Sequence, residues 1–127
     1  MKIYSPRPAK VFINEKETMF SATPLLGDGF FDLDLFELLN ALGVQYTFDK
    51  DYKTISSNDV TLQMEGNDGS YAACIYKDGK LVIDLGSVRY VKGKYIGDML
   101  FCIELCRVLG YKIEFHYDDY SVRIVKS

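Results

Sequence analysis

The 127-residue sequence has no tryptophan, one histidine and three cysteines. A single imidazole cannot build the several-histidine centres that copper or zinc catalysis needs. Three thiols cannot close a disulfide framework. Acidic residues outnumber basic ones by 18 to 15, for a formal net charge of −3, and only four of the basic residues are arginine. The broad positive field that gathers a phosphate backbone is therefore missing, which disfavours general nucleic-acid binding. No apolar run approaches the roughly 18 residues that cross a bilayer, so no membrane association is expected. Residues 1–15 hold two prolines and four charges with no continuous apolar stretch, so no secretory leader is legible. We read the chain as a complete short frame and expect a soluble, cytoplasmic protein. A cell-surface location is the alternative if a leader has been removed. Cys74, Cys102 and Cys106 agree with the first reading, because an odd number of thiols suits a reducing compartment.

What the sequence does contain is ordinary globular material: 48% hydrophobic and 26% charged residues, enough for one domain over residues 1–127. Within it lies a duplication. Leu35-Phe36-Glu37-Leu38-Leu39-Asn40-Ala41-Leu42-Gly43 aligns with Cys102-Ile103-Glu104-Leu105-Cys106-Arg107-Val108-Leu109-Gly110, and each stretch runs on to a phenylalanine, Phe48 and Phe115. Apolar residues at helical spacing predict two helices. Asp34 with Glu37 reads as a capping box for the first, Asp98 as the cap of the second, and Gly43 and Gly110 as the left-handed residues that end them. Alternation of Val44, Tyr46 and Phe48 with Gln45 and Thr47 predicts a strand directly after Gly43. Hairpins are expected around Asn14-Glu15-Lys16, which divides 11–13 from 18–20, and around Asp78-Gly79. Each half then reads hairpin, helix, hairpin, with repeat one over about residues 10–65 and repeat two over about 70–127. The expected class is α+β, an antiparallel sheet packed around two helices with one shared core.

This arrangement resembles the copper amine oxidase N-terminal-domain-like family, or stalk domain. Its units pair a hairpin carrying an Asn-Gly-Lys-like turn with a helix ending in Ala-Leu-Gly. The residues carrying the likeness are Val11-Phe12-Ile13-Asn14-Glu15-Lys16, Leu38 to Asp49, Lys53-Thr54-Ile55, Asp78-Gly79-Lys80, Val91-Lys92-Gly93-Lys94 and Leu105 to Phe115. The family's Val-Pro-Leu-Arg helix entrance is absent, Phe48 and Phe115 replace its strand tryptophan, and His116 stands where it often has Asp, which marks a divergent member. The resemblance implies an accessory, supporting or presenting domain. The metal and quinone of the oxidases belong to a separate catalytic domain.

Several groups invite a chemical reading. Cys102 and Cys106, four apart on one helical face, could offer two ligands to a soft metal, with Cys74 and His116 as third and fourth. Their alignment with Leu35 and Leu39 instead implies core packing. Asp28, Asp32, Asp34 and Glu37 could receive a cation or a basic partner, or could simply cap and solubilise. Between Lys77 and Lys94, five basic side chains stand against Asp78 and Asp84, which suits either docking of an acidic surface or protection of strand edges. No nucleophile, base and orienting group recur at a recognisable spacing, so no catalytic residue, metal site or cofactor is assigned. Ten tyrosines are present. Those in turns suit a protein-binding surface. The expected partner contact is therefore Tyr117, Asp118, Asp119 and Tyr120 together with Lys50, Asp51 and Tyr52, followed by the hairpin of Lys92, Lys94 and Tyr95. The expected function is a non-enzymatic protein-binding module, a small intracellular inhibitor or adaptor of the kind phages and mobile elements encode. A surface stalk or adhesion module of a Gram-positive bacterium is the alternative.

Overall fold

The computed structural model describes residues 4–127. The chain runs β1 (Arg7–Pro8), β2 (Lys10–Ile13), β3 (Lys16–Thr18), β4 (Leu25–Gly27), β5 (Phe30–Asp34), α1 (Leu35–Ala41), β6 (Thr47–Asp49), β7 (Thr54–Ser57), β8 (Val60–Asn67), β9 (Ser70–Lys77), β10 (Lys80–Val91), β11 (Lys94–Gly97), α2 (Met99–Val108), β12 (Tyr111–His116) and β13 (Ser121–Lys126). The class is α+β, with mostly antiparallel strands and two helices.

Both helices start and stop where local chemistry places them. The Asp34 carboxylate accepts from the Glu37 N–H at 3.0 Å, and the Asp98 carboxylate accepts from the Phe101 N–H at 2.9 Å. Each satisfies a backbone donor that has no intrahelical partner. Gly43 and Gly110 take φ of +74° and +89° just past the helix ends, a region where a side chain is strained. The capping box is only half formed, because the Glu37 carboxylate accepts from the Ser21 N–H and hydroxyl instead of turning back on its own helix. The two caps stand 64 residues apart and the two glycines 67, since α2 has ten residues and α1 seven. An alignment on the Leu-Gly pairs therefore matches the helix ends and misplaces their starts.

The turns Asn14-Glu15, Asp78-Gly79 and Lys92-Gly93 each carry two consecutive positive φ values, the twist that closes a two-residue hairpin. The hairpin directly before each helix is β4–β5 or β10–β11. β2–β3 is a separate hairpin, and Met19 and Phe20 lie beyond its strand. The strand after Gly43 starts at Thr47, three residues later than the alternation predicts. The alternation itself persists: Val44, Tyr46 and Phe48 are half-buried while Gln45 and Thr47 are exposed.

Strand pairing departs most from expectation. Instead of one sheet there are two, a nine-stranded sheet ordered β1-β4-β5-β11-β10-β9-β8-β7-β6 and a four-stranded sheet ordered β12-β13-β2-β3. β2 pairs parallel with β13, Val11 opposite Val122 and Ile13 opposite Ile124. An early hairpin is thus tied to the last one, which is possible because both present an apolar face: Val11, Ile13, Val122 and Ile124 are all buried. One continuous core cluster joins the halves, with Leu35, Leu38 and Leu39 of α1, Phe101, Leu105 and Cys106 of α2, and the inner sheet faces. α2 lies close on the large sheet because the Phe101 ring packs over Gly86 and Gly97, where a Cβ would lie 2.5 Å and 3.1 Å from ring carbons.

Candidate functional site

The structure separates the side chains that the sequence groups together. Tyr117 and Tyr120 fall in the β12–β13 turn as expected, but they are half-buried. The Tyr117 hydroxyl donates to the Gly27 carbonyl at 3.0 Å and the Tyr120 hydroxyl to the Ser5 carbonyl at 3.3 Å. Tyr4 packs on both rings, at 4.9 and 6.2 Å between centroids, and the Arg7 guanidinium lies 5.2 Å from the Tyr120 ring. Burial, then the nearby Asp28 carboxylate, holds the Tyr117 hydroxyl above its ordinary pKa. These rings clamp residues 4–7 to the turn and are not the open aromatic patch the sequence implies. Asp118 and Asp119 are exposed, and Asp119 accepts from the Ser121 hydroxyl at 2.7 Å, which lowers its pKa.

The counterpart turn is open. Lys50, Asp51 and Tyr52 are all exposed, Tyr52 by 75%. The Asp49 carboxylate accepts from the N–H groups of Asp51 and Tyr52 and fixes the turn at the rim of the large sheet. The third group divides. Lys92 is exposed, whereas Lys94 lies 3.7 Å from Asp34 and 3.8 Å from Glu37 and meets the Ser21 hydroxyl. Tyr95 is buried at the centre of an aromatic cluster, 5.7 Å from Phe36, 5.5 Å from Phe48 and 4.8 Å from Tyr90 between centroids. Tyr95 is a core residue: the hairpin twist at Lys92-Gly93 aims it inward.

The acidic cluster around the first helix is occupied internally. Asp28 accepts from the Tyr4 N–H, Asp32 pairs with Arg89, and Asp34 and Glu37 share Lys94. Cys102 and Cys106 are buried in the core face of α2. Burial pushes the Cys106 thiol up to about 12 and holds the Cys102 thiol well above its ordinary range, the opposite of what a nucleophile or metal ligand requires. Among the described residues no cluster of three or more His, Cys, Asp or Glu side chains is placed to hold a metal. His116 Nε2 lies 3.4 Å from Glu114 without aligning to donate, so the one imidazole has a surface carboxylate as its neighbour.

A different surface brings apolar side chains together. On the outer face of β4, β5, β11 and β10, Asp32 and Arg89 form an ion pair that walls two grooves. One, of about 520 Å³, is lined by Phe30, Met99, Leu100 and Ile103; the other, of about 160 Å³, by Leu25, Val91 and Ile96. Leu25, Phe30, Val91 and Leu100 are between 36% and 43% exposed. Strand order makes this saddle, because Leu25 sits opposite Asp32, Asp34 opposite Ile96, and Ile96 opposite Arg89. The carboxylates that line it are partnered, Asp32 by Arg89, Asp34 by Lys94 and Asp98 by the Phe101 N–H. The sequence contains no signal for it beyond two apolar residues beside hairpin turns, Phe30 after Gly29 and Val91 before Lys92-Gly93. The two hairpins that contribute, β4–β5 and β10–β11, are far apart in the sequence.

Comparison with family models, curated proteins and solved structures finds no match.

Proposed function

We propose that this protein is a non-enzymatic protein-binding module, acting inside the cell as a small inhibitor or adaptor, and that its partner docks on the saddle around Asp32 and Arg89. The observation that carries the reading is the convergence of Leu25, Phe30, Val91 and Leu100, exposed apolar side chains from four segments, around one ion pair. Apolar side chains release water on docking, and the ion pair between them selects and orients the partner. The exposed turn of Lys50, Asp51 and Tyr52 offers a further contact, and the half-buried tyrosines of the β12–β13 turn do not.

The non-enzymatic part rests on chemistry. Two of the three thiols are held protonated by burial, and the single imidazole lies beside a surface carboxylate. The intracellular part rests on Cys102 and Cys106, buried thiols that form no disulfide, as a reducing compartment favours. The stalk-like reading is supported by the local order around the helices, since hairpin, helix, hairpin occurs as β4–β5, α1, β6–β7 and again as β10–β11, α2, β12–β13.

The test is capture from a lysate of the native host with wild type and with the Phe30→Ala/Leu100→Ala double variant, followed by hydrogen exchange on the recovered complex. A partner held by wild type, lost to the variant and protecting residues 25–32 and 89–100 is the expected result. A partner retained equally by a folded variant overturns the saddle as the docking site.

A further inference from the structure

Four strands end the two sheets, and they are not alike. β1 has two residues, β3 and β6 have three each, and β12 has six. Short edges protect a protein from pairing with other chains, and a long one invites it. The direction in which β12 offers its backbone follows from its neighbours. The Tyr120 and Ile124 carbonyls accept from Lys10 and Asn14, so they point toward β2. Ser127 N–H donates to the Gly110 carbonyl, on the other side. Since direction alternates along a strand, Ser121, Arg123 and Val125 face β12, and their opposites His116, Glu114 and Lys112 face β13. Tyr111, Ile113 and Phe115 must then turn N–H and C=O away from the sheet. Among the described residues no strand lies on that side and no hydrogen bond reaches those six groups. Their side chains pack on the core but remain half-buried, as an incomplete sheet leaves them.

We propose that β12 pairs antiparallel with β12 of a second copy of this chain, about a two-fold axis through Ile113, joining two four-stranded sheets into one of eight. The register is singled out by charge. With Ile113 opposite its own symmetry mate, Lys112 faces Glu114 of the other copy and Glu114 faces Lys112, while Tyr111 and Phe115 face each other on the core side. All three free N–H groups and all three free C=O groups of each copy find partners. The side chains of Lys112 and Glu114 already share one face, 3.3 Å apart within a copy, so the pairing builds an alternating ladder of charge. His116 falls opposite Gly110, where no side chain opposes it. Shifting the pairing by two residues in one direction sets Lys112 against Lys112, and in the other Glu114 against Glu114; opposed like charges are unfavourable. A two-fold interface also closes on itself, so it makes dimers and not filaments.

The experiment is a charge-swap cycle read by sedimentation or light scattering over a dilution series from about 1 to 100 µM protein, which brackets a micromolar Kd, with folding checked by circular dichroism. Wild type is expected at twice the 14.5 kDa of one chain. The variants K112E and E114K each oppose like charges and should dimerise at least tenfold more weakly. Equimolar mixing of the two should restore association, because one copy then presents two carboxylates to two ammonium groups, and the double variant K112E/E114K should dimerise like wild type. A monomeric wild type, single variants that dimerise like wild type, a mixture that stays monomeric, or open-ended polymers would each overturn the proposal. These outcomes do not depend on the saddle, which lies on the other sheet.

Discussion

Replacing Gly86 with alanine tests the claim that α2 is seated on the large sheet through an aromatic ring laid over bare backbone. Neither Gly86 nor Gly97 has a positive φ, so both are required for space and not for conformation. A Cβ at Gly86 would lie 2.5 Å from Phe101 Cδ1, 3.3 Å from Phe101 Cβ and 3.2 Å from the Ala73 carbonyl oxygen. Carbon atoms prefer separations of about 3.5–4.0 Å, so the ring must retreat by roughly 1 Å. It has nowhere to go, because Phe101 is fully buried and its other edge already touches Gly97. Overpacking of this kind costs about 1–3 kcal/mol, and the strand gains about 0.5–1 kcal/mol from losing a glycine. A net loss of about 1 kcal/mol should lower the melting temperature by roughly 3–5 °C for a chain of this size. The decisive measurement is the double-mutant cycle with Phe101→Leu, whose smaller side chain makes room for the methyl group. The double variant should be more stable than the sum of the single losses implies by about 1 kcal/mol or more. Gly79→Ala is the control: its φ is +76° and its Cβ meets nothing within 4 Å, so its cost comes from the backbone and should be independent of Phe101. Strict additivity of Gly86→Ala with Phe101→Leu, or a Gly86→Ala melting temperature within 1 °C of wild type, refutes the packing argument.

Two further expectations concern the helices. Asp98→Ala removes a simple N-cap and should cost about 1 kcal/mol. Asp34→Ala should cost more, about 2 kcal/mol, because Asp34 is buried and also faces Lys94. Equal losses in thermal melts would mean that Lys94 contributes nothing through Asp34. The second concerns alkaline pH. The Cys106 thiol ionises near 9 when unfolded and at about 12 when folded, so below pH 9 both states are protonated and nothing is lost. Above it the unfolded chain releases a proton that the folded chain keeps, and stability falls by about 1.4 kcal/mol per pH unit, roughly 4 kcal/mol in all. Urea midpoints at pH 8 and pH 10.5 should therefore converge in Cys106→Ala relative to wild type, and an unchanged pH dependence would show that this thiol is not held protonated by the core.

Features that depend on a few consecutive residues were legible in the sequence. Asp34 and Asp98 cap the helices, Gly43 and Gly110 end them, and Asn14-Glu15 and Asp78-Gly79 close hairpins, because each is a matter of a backbone angle or a hydrogen bond within four residues. The burial of Cys102 and Cys106 was legible for a related reason, since helical periodicity aims both at one face. Partner choice was not. The parallel pairing of β2 with β13, the clamp of Tyr120 on Ser5 across 115 residues and the pairing of Lys94 with Asp34 and Glu37 all depend on which distant segment lies alongside, and alternation in a strand specifies a face without naming a neighbour. The same limit hid the candidate sites. Tyrosines in turns promised an exposed surface, but exposure belongs to the whole fold, and residues 4–7 cover two of them. Leu25, Phe30, Val91 and Leu100 form a surface only because β4, β5 and β10 come together beside the start of α2. The self-complementary order Tyr111-Lys112-Ile113-Glu114-Phe115 stood in the sequence throughout; that it lies on a bare sheet edge was decided by tertiary structure alone, when β13 took β2 and not another strand as its second partner and left β12 outermost.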